Sequence, residues 1–179
     1  MIKKGGRRVL RILVISVLIQ GVAPAMAVED TPGDGFQVTL VGSGSAETYK
    51  AKSGLQANAD TSADKVSVAE YDGIVIPGGY APDLMRRYPS MVKLVRDFFK
   101  AGKVVAAICH AGWMLASAEI VEGKTATCFF SIKDDLIHAG AKYVDQEIVV
   151  DGNLITSRKP DDLPAFMRAV IAGLQGGPR

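Results

Sequence analysis

Thiols and imidazoles are scarce in this chain of 179 residues, which holds two Cys, two His and a single Trp. Two thiols, Cys109 and Cys128, cannot build a disulfide framework. No C-x-x-C pair or Cys/His cluster has the spacing of a zinc site, and two His (His110 and His138) argue against a His-based metal centre. No metal or other cofactor is expected. An excess of one charge is missing too: the formal net charge of +2 gives no argument for nucleic acid or an acidic partner. A long apolar run is also lacking. Residues 12–28 are uncharged but are interrupted by Gly21 and Pro24, which is marginal for a membrane span, and no stable one is expected. There are no internal repeats.

What remains is an ordinary globular composition, 48% hydrophobic and 22% charged, in a length that suits one domain with a sizeable core. Two free thiols fit a reducing compartment best, so a cytoplasmic location is expected, with export as the alternative. That alternative comes from the N-terminus. Lys3, Lys4, Arg7, Arg8 and Arg11 form a basic region, an apolar stretch follows, and Ala25 and Ala27 are spaced A-x-A, the anatomy of a secretory signal peptide. The competing reading takes residues 8–16 as a first, buried β-strand (Val9, Leu10, Ile12, Leu13, Val14, Ile15).

Downstream, strands and helices alternate. Residues 36–41 read as a strand left through Gly42-Ser43-Gly44-Ser45, a loop without the Lys-Ser/Thr pair of a phosphate cradle. Residues 46–52 suggest a short strand, and 57–69 a polar connection. Residues 71–76 form a strand running into Pro77-Gly78-Gly79. Pro82 and Asp83 start a short helix, and Pro89 a longer one with Met91, Leu94, Val95 and Phe98 on one face. A strand at 104–108, a helix at 112–118 and an extended segment at 124–130 follow. Ser131 is expected to cap a helix, with Asp134 completing a capping box. Asp151-Gly152-Asn153 marks a hairpin, and 160–174 a closing amphipathic helix before a frayed tail. The alternation points to a parallel sheet covered on both faces. The divisions expected are an atypical N-terminal segment (1–28), the main domain (29–175) and a tail (176–179).

In such a sheet, ligands sit at the carboxyl ends of adjacent strands. Two turns qualify, Pro77-Gly78-Gly79 and Cys109-His110. The second follows the strand Val104-Val105-Ala106-Ala107-Ile108 and leads through small residues into a helix, the geometry by which a nucleophile is presented. A free thiol titrates near about 8.5, and a helix N-terminus and polar neighbour are expected to lower that value. The plainer reading is a small buried residue ending a strand. Backbone N–H groups of the glycine turn are placed to hold an oxyanion.

The ordered motifs Tyr71-Asp72-Gly73-Ile74-Val75-Ile76-Pro77-Gly78-Gly79, Ala106-Ala107-Ile108-Cys109-His110-Ala111-Gly112, Ser131-Ile132-Lys133-Asp134-Asp135 and Thr156-Ser157-Arg158 resemble the DJ-1/PfpI superfamily, and most closely its PfpI branch. The resemblance runs from about residue 35 to 174. It implies an α/β, flavodoxin-like three-layer sandwich, an elbow cysteine at Cys109, an adjacent His110, and backbone donors at Gly78, Gly79 and His110. It further implies that Asp83, from a neighbouring subunit, approaches the Cys-His pair, and hence a homodimer or larger homo-oligomer. The substrates implied are small carbonyl compounds such as methylglyoxal, or glycated proteins and peptides. The resemblance departs at the acid expected after the first strand, whose position falls near Gln20. Because that first strand is interior in this fold, its removal as a signal peptide would open the core, so retention is the expectation. Two other functions stand beside the carbonyl enzyme: an oligomer-dependent peptidase, and a redox-stress or chaperone-like protein in which Cys109 is oxidised. Cys128 reads as a buried or pocket-edge thiol, and Trp113 and Tyr80 as mouth or packing residues. His138 reads as a surface or capping group, and Arg158-Lys159 as solvated.

Overall fold

A computed structural model of the chain describes residues 9–15, 35–50 and 56–177. Its centre is a seven-stranded sheet in the order β10-β11-β7-β6-β1-β2-β5. These strands are β1 (Leu10–Ile15), β2 (Phe36–Gly42), β5 (Thr61–Ser62), β6 (Gly73–Ile76), β7 (Val104–Ile108), β10 (Ile148–Asp151) and β11 (Leu154–Ser157). Every pairing is parallel except the β10–β11 hairpin. Two short ladders lie outside the sheet: β3 (Thr48–Lys50) with β4 (Gln56–Asn58), and β8 (Thr125–Ala126) with β9 (Lys142–Tyr143).

The central strands β6 and β7 are apolar on both faces because both faces are covered. Leu13, Ile74, Ile76, Val105, Ala107 and Leu154 point into one core, and Ile12, Val14, Val75, Val104, Ala106, Ile108 and Ile155 into the other. The first core is closed by α1 (Ala81–Met85), α2 (Pro89–Lys100), α3 (Gly112–Ser117) and α4 (Lys133–His138). The second is closed by α5 (Leu163–Leu174) through Phe166, Val170 and Leu174. This is the three-layer α/β sandwich with a mostly parallel sheet that the sequence led us to expect. In α2, Pro89 at the first turn needs no hydrogen-bond donor there, and Met91, Leu94, Val95 and Phe98 recur on one buried stripe. Phe98 and Phe166, both fully buried, each contribute about 1.5–3 kcal/mol of transfer free energy on opposite sides of the sheet.

Of the residues read as a first strand (8–16), Leu10–Ile15 form one and it is central: β1 lies between β2 and β6, in register from Leu10↔Phe36 to Ile15↔Val41. Gln20 and the rest of residues 16–34 lie outside the described residues, as do 178–179. Some boundaries change. The polar connection at 57–69 contains the end of β4, the edge strand β5 and the single turn Ala63–Lys65, and runs into a second turn, Val68–Glu70. Composition hid β5 because a two-residue edge strand needs only backbone pairing. Ser131 does not cap a helix: a 3₁₀ turn at Phe130–Ile132 intervenes, Ile132 stands at the cap position of α4, and no side chain caps it. Gly176 and Gly177 do not fray freely, since their N–H groups close the end of α5 on Gly173 and Ala172 carbonyls.

Candidate active site

The β6–β7 register ends at Ile76↔Ala107, which sets the two turns that follow side by side at the carboxyl edge of the sheet. Cys109 adopts φ +64°, a left-handed conformation that costs an L-residue roughly 1–2 kcal/mol and turns its side chain up and out of the strand direction. The turn continues as Cys109–Ala111 and opens directly into α3. A strand, a strained residue and a helix in succession make the elbow expected for a presented nucleophile.

The neighbouring turn comes very close. A methyl group on Gly78 would stand 2.6 Å from Cys109 Cβ, 2.9 Å from the Ile108 carbonyl oxygen and 3.2 Å from Cys109 Sγ. Gly78 is therefore required sterically, as the low wall against which the thiol rests. The N–H groups of Gly79 and His110 both donate toward Cys109 Sγ. His110 lies with Nδ1 3.2 Å from Sγ and Nε2 3.4 Å from Ser131 Oγ. Its ring stacks on Phe129 with centroids 4.9 Å apart and meets the edge of Trp113 at 5.3 Å. Trp113 borders His110 and packs partly buried against the first core, while its Nε1–H donates to Asp135 Oδ2 at 2.7 Å.

Electrostatically the pair is held neutral. Burial pushes the Cys109 thiol above its ordinary value, and the two backbone donors offset this only in part. Burial likewise pushes the His110 imidazole below its ordinary value. The expectation of a lowered Cys109 pKa is corrected: desolvation of the thiolate outweighs the two backbone N–H donors beside it. Among the described residues the hydrogen-bond partners of the His110 ring are Cys109 and Ser131, neither of them a carboxylate.

Asp83 does not join the pair within one chain. It lies on α1, where it is ion-paired with Arg87 one turn on. Cys128 is buried, and its thiol is pushed up to about 12, chiefly by desolvation. It borders a cavity of about 180 Å³ that Phe129, Tyr143 and Arg158 also line, so it is both buried and at a pocket edge. His138 is exposed on the last turn of α4, and Tyr80 is exposed after the Gly-Gly turn. Arg158 corrects its reading as solvated. It is bidentate to buried Asp162 at 2.9 and 3.1 Å and reaches Asp145 at 2.9 Å, tying the end of β11 to the turn that leads into α5. The i, i+4 spacing of Arg158 and Asp162 was the available signal. Ser131 and Phe129 were missed as site residues. Nothing in local spacing marks them, since they reach His110 from a segment some twenty residues away.

Among the described residues no group of three or more His, Cys, Asp or Glu is placed to hold a metal ion, and no described helix is long and apolar enough to cross a membrane.

The model of the DJ-1/PfpI family matches residues 17–173. The chain is similar to a deglycase of Pyrococcus horikoshii, 44% identical over 124 residues covering 69% of this chain and 75% of that one. It is also similar to protein/nucleic acid deglycase 2 of Escherichia coli, 42% identical over 139 residues covering 76% and 81%. Among solved structures, Drosophila melanogaster DJ-1beta matches with a TM-score of 0.82 at 31% identity, over 93% of this chain and 91% of that one.

Proposed function

The chain belongs to the DJ-1/PfpI family, and on that premise we propose that it is a deglycase-type enzyme acting on reactive carbonyls through Cys109. The substrates are small α-oxoaldehydes such as methylglyoxal, or their adducts on proteins and peptides. The observation that carries the reading is the strained Cys109 with Sγ 3.2 Å from His110 Nδ1. Two relatives named as deglycases, similar over two thirds or more of the chain, support it.

The chemistry follows from the neutral pair. Nδ1 of His110 takes the proton from Sγ–H as Sγ bonds to the carbonyl carbon, and the C=O π electrons move onto oxygen. The N–H groups of Gly79 and His110 stabilise that oxygen, and the imidazolium returns its proton to it, giving a hemithioacetal. The hydrogen on that carbon then passes, through an enediol, to the adjacent carbonyl carbon, giving a 2-hydroxy thioester, and water cleaves its S–C bond to release a 2-hydroxy acid and return Cys109 to the thiol; from a hemiaminal adduct the C–N bond breaks first, freeing the amine with its proton and the same α-oxoaldehyde. A neutral Cys-His pair suits an aldehyde, which is electrophilic enough to be attacked as the proton leaves. Asp83 would reach the site only from a second copy of the chain, so the assembled form is the active one in this proposal. Oxidation of Cys109 as the main function is less well supported, because burial disfavours the thiolate on which susceptibility to oxidants depends.

The test is methylglyoxal consumption by the wild type and Cys109→Ser between pH 5 and 9. Loss of turnover in the variant is expected, and equal rates in the two proteins refute the nucleophile. Asp83→Asn should lower turnover in the assembled form and change nothing in the dissociated chain.

A further inference from the structure

We infer that Ser131 is a positioning residue, whose hydroxyl accepts a hydrogen bond from His110 Nε2–H and so holds the imidazole in the tautomer that leaves Nδ1 free to take the Cys109 proton. Two observations carry this. First, the Ser131 hydroxyl is not engaged where a serine at a helix start usually is: no side chain caps α4 or the 3₁₀ turn before it. Its oxygen lies 3.4 Å from Nε2 instead, a length that commonly tightens once a site is occupied.

Second, the fold holds this segment against the elbow. Phe129 N–H donates to the Cys109 carbonyl at 3.3 Å, and Ile132 N–H to the Phe129 carbonyl at 3.1 Å. Gly112, at the start of α3, lets Ile132 and Leu136 approach so closely that a methyl group there would meet Leu136 Cδ1 at 2.7 Å and Ile132 Cδ1 at 3.1 Å. Trp113 clamps the far side through Asp135. Ser131 is thus delivered to the ring by backbone bonds and packing, while Phe129 fixes the ring plane.

The tautomer matters because the two ring nitrogens have opposite duties. An imidazole protonated at Nδ1 would present a donor to Sγ and could not accept its proton. A hydroxyl can both accept from Nε2–H and donate, so it stays bonded as the ring passes from imidazole to imidazolium and back. The inference rests on Cys109 being the reacting group, as proposed above, but not on which substrate it attacks.

The experiment is nitrogen NMR of protein labelled in histidine, with the two imidazoles assigned through His138→Gln. For wild-type His110 the expected spectrum shows Nε2 protonated and Nδ1 unprotonated at neutral pH. In Ser131→Ala both nitrogens should move toward a mixture of tautomers, and alkylation of Cys109 by iodoacetamide should slow by about three- to tenfold, the size of one modest hydrogen bond. Ser131→Thr, which keeps the hydroxyl, should restore both readouts. A wild-type ring protonated at Nδ1, an Ala spectrum identical to wild type, or a Thr variant that restores nothing overturns the inference. Should the Ala variant fail to fold, the wild-type tautomer and the Thr variant decide the matter. Absence of methylglyoxal turnover in the wild type would sink the carbonyl reading without touching this one.

Discussion

Replacing Gly78 by Ala tests the close approach on which the site is built. The new methyl group would lie 2.6 Å from Cys109 Cβ and 2.9 Å from the Ile108 carbonyl oxygen. Neither neighbour is the far end of a flexible side chain. The first belongs to a residue already strained at φ +64°, and the second is backbone of a buried strand. The turn or the strand end must shift, and overpacking of this kind costs about 1–3 kcal/mol. In a domain of this size each kcal/mol lowers Tm by roughly 2–4 °C, so Gly78→Ala should melt about 2–12 °C below wild type. The thiol also rests 3.2 Å from the new methyl and must move from the Gly79 N–H and from Nδ1. Loss of one such bond in the reaction should lower kcat/KM by about tenfold or more. Thermal unfolding by circular dichroism and methylglyoxal turnover measure the two effects. A variant that melts and turns over like wild type would falsify the steric account of Gly78 and remove the reason for pairing these two turns in one site.

Other predictions concern ionisation. Because burial pushes the Cys109 thiol up, its alkylation by iodoacetamide should keep rising with pH, with a midpoint above the roughly 8.5 of an ordinary thiol; a midpoint below about 7 would show an activated thiolate instead. The single Trp, Trp113, touches the His110 ring edge-on, so its fluorescence should report His110 protonation. Quenching should set in as pH falls, with a midpoint below the usual 6.5 or so, and His110→Gln should abolish it. Asp162 is buried, and its carboxyl is held below the ordinary range chiefly by the hydrogen bonds from Arg158. A depressed folded-state value stabilises above the unfolded pKa and is lost as pH falls through the folded one. Asp162→Asn should therefore lower Tm at neutral pH, and the gap from wild type should narrow toward pH 2. A constant gap across that range would count against the ion pair.

Much of the fold was legible from residue order, for a physical reason. A strand buried on both faces must be apolar throughout, and 104–108 and 71–76 read that way. An amphipathic helix must repeat its apolar residues, as Met91, Leu94, Val95 and Phe98 do. Elements whose formation depends on partners rather than on their own pattern were not legible. The edge strand β5 is two polar residues that pair with β2, and Ser131 has the look of a cap until the 3₁₀ turn before α4 puts its hydroxyl elsewhere.

The site divides in the same way. The sequence by itself determined the two turns, Cys109 with its neighbouring His110, and the glycines beside them, because a sharp turn at the end of a buried strand demands small or conformationally tolerant residues in a fixed local order. It also carried the motifs by which the family is known. Only the tertiary structure decided which groups touch and in what state they are held. Burial, a property of the whole packed molecule, disfavours the charged form of both Cys109 and His110 and outweighs the backbone donors beside the thiol. Asp83 is spoken for by Arg87, just past the end of its own helix, and the polar group at the far nitrogen of His110 is Ser131, brought from a distant segment by close packing at Gly112. Local sequence sets which conformations are allowed, but desolvation and through-space contact depend on what the rest of the chain puts alongside.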